Sequence, residues 1–153
     1  MTERTGPSEH LEDFLPYQLS VASNAVSARI AEQYRSEFGL KMTEWRIMAV
    51  LGDGEPLTQR RLVGLTLLDK VAVNRACKVL EDRGLLSRAP NREDGRSHLL
   101  TLSETGKAIH ARVMPLARAI ESELFAEFSS EERAQLHALL KRIRARATGE
   151  PDA

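Results

Sequence analysis

The chain has 153 residues, 42% hydrophobic and 29% charged, a globular balance that predicts one domain and excludes two stacked catalytic ones. Aromatics make up only 5%, so the core falls to Leu, Ala, Val and Ile, which favours helices. Net charge is zero but unevenly spread: residues 1–55 carry 5 Lys/Arg against 9 Asp/Glu, 56–96 carry 9 against 5, and 97–153 carry 8 against 8, so a basic middle third can attract a polyanion. The longest apolar run, Ile47 to Leu51, is far too short to span a membrane, and the polar start has no hydrophobic signal region. A soluble, cytoplasmic protein with no membrane partner is expected. The single cysteine, Cys77, can form neither an internal disulfide nor a multi-cysteine metal site.

Apolar positions Leu15, Leu19, Ala22, Val26, Ile30, Tyr34 and Phe38 step by three or four and draw one stripe down a long helix that Pro16 opens and Gly39 closes. Thr43 is the expected N-cap of a short helix with Trp45, Met48 and Leu51, stopped at Gly52. Thr58 caps a second short helix, Gln59 to Leu65, and Asp69 a third that runs to Arg83 and ends at Gly84. Leu85–Ala89 and Ser97–Leu102 then read as two strands around the turn pair Asp94-Gly95. From Ser103 a helical run reaches about Phe128, with a bend expected at Pro115. Ser129 and Glu132 form a capping box before a last helix with Leu136, Leu139, Leu140 and Ile143 on one face. The fold class is mainly α with a small two-stranded β-hairpin. The apolar stripes of the outer helices need a partner surface, which a dimer supplies.

In the third short helix Val73, Ala76, Cys77 and Leu80 follow core spacing, and the opposite stripe is Lys70, Val71, Asn74, Arg75 and Lys78. Lys and Arg neutralise phosphates or pair with guanine, Asn pairs with adenine, and Val touches a thymine methyl, so this stripe has the chemistry of major-groove reading. The N-terminal end of the helix also offers backbone N–H groups for phosphate. On an isolated helix such a stripe is an ordinary solvated face. Here a capped helix with Thr58, Gln59 and Arg60 at its start precedes it at helix-turn-helix spacing. A basic hairpin with Arg88, Arg92 and Arg96 follows, which together make a winged helix whose wing reaches the backbone or the minor groove.

With these elements the sequence resembles the MarR family of bacterial winged-helix transcription regulators, over about Leu11 to Arg146. The resemblance is carried by LTQRRLVGLTLLDKVAVNRACKVLEDRGLLSR, by the wing NREDGRSHLLTLSETGK and by FSSEERAQLHALLKRI. Asp94 and Arg96 match the family's Asp-x-Arg wing motif, and Ser103 with Gly106 its strand-to-helix junction. Asn91 stands where an Asp is frequent and Gly95 where an Arg is frequent, which implies weaker wing contacts. The resemblance implies a winged helix-turn-helix flanked by long dimerisation helices. It further implies an obligate homodimer on double-stranded DNA at a palindromic operator, usually as a repressor, often released by a small aromatic, anionic ligand. Residues 1–10 and 147–153 are then tails around a single domain, 11–146, with dimerisation helices at 11–39 and 103–146 and a DNA-binding lobe at 43–102.

Some members of this family sense oxidants through a cysteine in or near the first helix, whereas Cys77 falls on the buried face of the DNA-reading helix and is read as a small hydrophobe. His10, His98, His110 and His137 lack the company a metal site needs, so neither metal nor cofactor is expected. No nucleophile elbow, phosphate loop or dinucleotide fingerprint marks an enzyme. A winged-helix interaction adaptor without DNA binding is the competing reading, and the base-reading stripe argues against it. For an aromatic carboxylate effector the candidates are Trp45 and Arg46, with Ser20 and Asn24 where the first helix breaks its apolar stripe. An aromatic core anchor beside a surface arginine is the plainer reading of that pair.

Overall fold

Helix α1 (Leu15–Phe38) follows a single 3-10 turn at Leu11–Asp13 in the computed structural model, which describes residues 10–151. The N-terminal tail expected over residues 1–10 lies, except for His10, outside the described residues, as do residues 152 and 153. Gly39 closes α1 in the left-handed region, at φ 63°, donating its N–H to the Arg35 carbonyl. Helix α2 (Met42–Leu51) starts one residue before Thr43, so the expected cap is displaced. Its first turn is closed from the other direction: the buried Glu44 carboxylate accepts from the Lys41 N–H at 2.8 Å, which leaves Thr43 inside the helix.

Helix α3 (Gln59–Thr66) is capped by the Thr58 hydroxyl, which accepts from Arg61 N–H at 3.1 Å. Helix α4 (Lys70–Asp82) is capped by Asp69, whose Oδ1 accepts from Ala72 N–H at 2.8 Å. Between them Leu67 takes φ 54°, a left-handed conformation that a β-carbon normally disfavours, and its N–H reaches the Val63 carbonyl. Strands β1 (Leu86–Pro90) and β2 (His98–Leu102) pair antiparallel with Leu86 opposite Leu102 and Pro90 opposite His98. Each begins one residue later than expected. Leu85 is used at the junction, giving its N–H to Leu80 and its carbonyl to Ser103, and Ser97 belongs to the turn, with its N–H on the Asp94 carbonyl. A contact absent from the sequence reading joins the hairpin: Leu57 and Leu100 exchange both main-chain hydrogen bonds, at 3.1 and 2.8 Å.

Helix α5 (Glu104–Leu124) continues through Pro115 and stops four residues short of the expected Phe128. Residues 125–128 form a turn because the Phe125 carbonyl is taken by Arg133 and by the Phe128 N–H. Helix α6 (Ser130–Thr148) is capped by the Ser129 hydroxyl on Glu132 N–H and closed by Gly149, so helix reaches past the expected start of the tail at 147. The chain divides into two compact units, up to Ala117 and from Arg118. The first holds the continuous core, from Ala31 and Tyr34 of α1 through Ile47, Met48, Leu62, Val73, Leu80 and Leu100 to Val113. In the second, α6 has no buried residue, and the Phe125 and Phe128 rings pack at 5.4 Å. Among the described residues no helix is long and apolar enough to cross a membrane.

Gly106 sets a strict limit at the start of α5, since a β-carbon there would overlap the Leu85 carbonyl oxygen, a main-chain atom that cannot swing away. Gly95 in the wing faces open space. Helix propensity alone favours Ala at position 106 by about 1 kcal/mol. Gly106→Ala is nevertheless expected to lower unfolding free energy by about 1–3 kcal/mol in urea titration, through overpacking. Gly95→Ala should stay within about 0.5 kcal/mol of wild type. Equal stability of the two variants would show that the junction yields.

Candidate nucleic-acid interface

Helix α4 is strongly two-faced. Val73, Ala76, Cys77 and Leu80 are buried, while Lys70, Val71, Asn74, Arg75 and Lys78 are exposed, Val71 at 65%. An exposed β-branched side chain beside a lysine and an asparagine is of little use to the core and suits contact with an apolar spot in a polar groove. Its N-terminus differs from the expectation of open N–H groups, because the Asp69 carboxylate already occupies the Ala72 N–H.

A cleft of about 420 Å³ opens between α3, α4 and the hairpin, lined by Thr58, Gln59, Arg60, Asn74, Arg88, Asp94 and Arg96 of the expected residues. Asn91, Ser97 and His98 line it as well; the sequence marks Asn91 only as a departure in the wing, and marks neither Ser97 nor His98 for DNA contact. His98 was findable, since two-residue alternation along β2 puts His98, Leu100 and Leu102 on one face, and Arg88 lies opposite Leu100. Arg92 lies elsewhere, in a groove on the far side of the wing with Pro56, Arg61 and Glu93. Lys70, Val71, Arg75 and Lys78 do not line the cleft and stand along the exposed face of α4.

The wing turn is built by its own polar side chains. Asp94 Oδ1 accepts from the Arg96 N–H at 3.0 Å, Asn91 Oδ1 accepts from the Glu93 N–H at 3.1 Å, and Asn91 Nδ2 donates to Ser97 Oγ at 2.9 Å. Asp94 therefore holds Arg96 through the main chain of an Asx turn. Arg88 is committed differently: its Nε and terminal NH2 both donate to Glu81 Oε2, at 3.2 and 3.1 Å. Cys77, fully buried behind this pair, has its thiol pushed up to about 11, chiefly by burial and slightly by Glu81, with Arg88 opposing. A thiol so placed is a packing group, with negligible thiolate at neutral pH.

The effector candidates separate. Trp45 is 7% exposed and stacked between Tyr34 and His110, each ring 5.7 Å away. Burial raises the Tyr34 pKa and lowers that of His110, and a β-carbon on Gly52 would overlap the imidazole. Arg46 leaves this stack and donates to Ser27 Oγ at 3.3 Å, bridging α2 to α1. Ser20 and Asn24 are exposed on α1, at helical spacing from Ser27. Among the described residues no three His, Cys, Asp or Glu side chains group as a metal site.

A family profile described as MarR family matches residues 38–97, from the end of α1 to the wing. The MarR/EmrR family transcriptional regulator from Acinetobacter sp. ADP1 superposes with a TM-score of 0.84 at 28% identity, over 92% of this chain and 99% of that one. A probable transcriptional regulator from Pseudomonas aeruginosa is 30% identical, with a TM-score of 0.74, over 88% of this chain and 99% of its own. Bordetella bronchiseptica BpsR, whose DNA binding is regulated by 6-hydroxynicotinic acid, shares the fold at a TM-score of 0.80 and 23% identity, over 91% and 98% of the two chains.

Proposed function

We propose, of a chain that belongs to the MarR family of transcriptional regulators, that it binds a palindromic operator as a homodimer, represses from there, and is released by a small aromatic acid. The observation that carries the DNA reading is the exposed face of α4, where Lys70, Val71, Asn74, Arg75 and Lys78 stand opposite a fully core-packed face. Laid in a major groove, Arg75 donates two hydrogen bonds to a guanine, Asn74 pairs with an adenine, and Val71 meets a thymine methyl. Lys70 and Lys78 neutralise phosphates on either side, and Arg96, held by the Asp94 turn, reaches the adjoining backbone or minor groove. Such a protein works where the DNA is, in the cytoplasm, and needs neither metal nor cofactor.

Arg75→Ala is expected to weaken operator binding by about 1–3 kcal/mol and to relax preference at one base pair in each half-site. Lys78→Ala should weaken all duplexes alike and reduce the slope of log K against log salt by about 0.9 for each protomer engaged, about 1.8 for the dimer. Fluorescence anisotropy on the protein's own upstream region and on random duplex separates the two. Equal losses on both DNAs for both variants would remove the base-reading role.

The dimer is supported by apolar surface that the single chain leaves wet. Leu15 of α1 is 79% exposed, and Leu139 and Ile143 of α6 are each about half exposed, on a helix with no buried residue. A double Leu139→Glu, Ile143→Glu variant should be monomeric by light scattering, keep its helical circular dichroism, and lose the operator affinity that two joined half-site contacts provide. A dimeric variant would place the interface elsewhere.

The effector site is supported by Arg46, a guanidinium bridging α2 to α1 through Ser27 with Asn24 and Ser20 further along that helix. A carboxylate can replace Ser27 on the guanidinium with two hydrogen bonds in place of one. The aromatic acid that regulates BpsR is of this chemical class. Trp45, 7% exposed and stacked with Tyr34 and His110, belongs to the core behind α2 rather than to this site. A panel of benzoates, cinnamates and hydroxynicotinates should contain a compound that lowers operator affinity of wild type and leaves Arg46→Ala unaffected. A response of Arg46→Ala equal to wild type would move the site; a silent panel would remove the ligand class.

A further inference from the structure

The exposed stripe Lys70, Asn74, Lys78 continues at helical spacing to Glu81, which places a carboxylate at the end of the face read above as DNA-binding. A negative charge there opposes phosphate, and the structure gives it a specific partner: Arg88 crosses from β1 and puts two donors on the one oxygen, Glu81 Oε2, at 3.2 and 3.1 Å. Arg88 also lines the cleft with Arg60, Asn74, Arg96 and His98. Among the described residues, Arg60 and Arg96 have no carboxylate within ion-pair distance, so Arg88 is the cleft cation that is internally spent. The pair is accessible, with the Arg88 side chain 30% and the Glu81 side chain 39% exposed, and exposed ion pairs are held weakly enough to exchange partners.

We infer that Glu81 competes with DNA phosphate for Arg88 and thereby holds down sequence-independent binding, so that the base contacts of α4 decide where the protein rests. The inference rests on the DNA-binding reading given above and adds to it a residue that subtracts affinity. The physical reason is that phosphate contacts raise affinity for every duplex equally, whereas the ratio of operator to random binding comes from base edges. An arginine already neutralised within the protein releases no counterions on docking and adds nothing to that common term.

The test is binding of the full-length protein to a short labelled duplex of random sequence, by anisotropy at two salt concentrations, with Glu81→Gln, Asp82→Asn, Arg88→Gln and the double variant Glu81→Gln, Arg88→Gln. Asp82→Asn removes the same charge one residue along α4 without touching Arg88, and thermal melts confirm that each variant folds. Glu81→Gln should bind more tightly than wild type and than Asp82→Asn. Its advantage should grow by about 3.5-fold for each protomer engaged as salt falls from about 200 to about 50 mM, the signature of one added phosphate contact. That added advantage should vanish when Arg88 is Gln. Equal gains for Glu81→Gln and Asp82→Asn, or a gain that survives in full without Arg88, would reduce Glu81 to bulk charge and overturn the inference. Weaker binding by Glu81→Gln would show that the pair serves DNA binding as a strut, which also overturns it. Wild type that binds no duplex at all sinks the DNA-binding reading itself and the inference with it, whereas a failure confined to Glu81→Gln leaves that reading standing.

Discussion

The end of α4, both strands and the start of α5 meet at one knot of hydrogen bonds, and the geometry of the candidate interface depends on it. Leu85 donates its N–H to the Leu80 carbonyl as α4 ends, then accepts from the Ser103 N–H as β2 ends. The Ser103 hydroxyl donates to the Gly84 carbonyl at 2.6 Å and accepts from the Gly106 N–H at 3.0 Å. One serine thus closes the turn after α4 and caps α5, and Gly106 lets the two segments approach because it has no β-carbon to meet Leu85. With that knot closed, the hairpin leaves α4 in one direction only. The cleft between Asn74 and Arg96 has its width from there.

Charge is distributed by the same economy of partners. Of the nine Lys and Arg residues between 56 and 96, Arg83 and Arg88 bond within the chain, to the carbonyl ends of α1 and to Glu81. The others have no carboxylate within ion-pair distance among the described residues, and they gather on the α3 start, the α4 face and the wing. A chain with zero net charge can therefore present a locally positive surface, and association with a polyanion through it is orientated rather than indiscriminate.

Local chemistry made much of this legible in advance. Thr58, Asp69 and Ser129 cap the helices expected of them because an N-cap needs one side-chain oxygen and one N–H three residues on, both written in the sequence. Thr43 failed by the same rule: Glu44 reaches back to Lys41 and starts the helix earlier, a choice that depends on Glu44 being buried. The two faces of α4 were readable from spacing alone, since a 3.6-residue period fixes them before any tertiary contact. What stayed hidden was set by tertiary packing. The Leu57–Leu100 bridge is one residue long and leaves no periodic trace, the Arg88–Glu81 pair depends on how β1 departs from α4, and the Trp45 stack draws its rings from three helices. The Asp94 turn was half visible: its residue types announce a turn and suggest an ion pair from Asp94 to the Arg96 guanidinium, whereas Asp94 accepts from the Arg96 main-chain N–H at 3.0 Å.

If a ligand binds at Arg46 as proposed, the end of α1 offers a path from it to α4. Arg83, the residue that closes α4, donates to the Phe38 carbonyl at 2.6 Å and to the Gly39 carbonyl at 3.4 Å, where the negative end of the α1 dipole favours a cation. Arg112 of α5 lies 4.8 Å over the Phe38 ring and 3.7 Å from Glu37, so that end of α1 is pinned to the winged-helix core from two sides. Ser27, which receives Arg46, lies roughly 16 Å up the helix from the pin, and Leu15 roughly 34 Å, at 1.5 Å of rise per residue. A displacement of about 1 Å at Ser27 would turn α1 by about 3–4° and move its far end by about 2 Å. Under the proposed dimer that far end carries the apolar face offered to the partner. A shift there changes how the two α4 helices are spaced, against half-sites fixed at about 34 to 36 Å or a multiple of it. Under the proposed effector site, a ligand needs no new fold to act, only a preference for the turned position of a helix that is held firmly at one end.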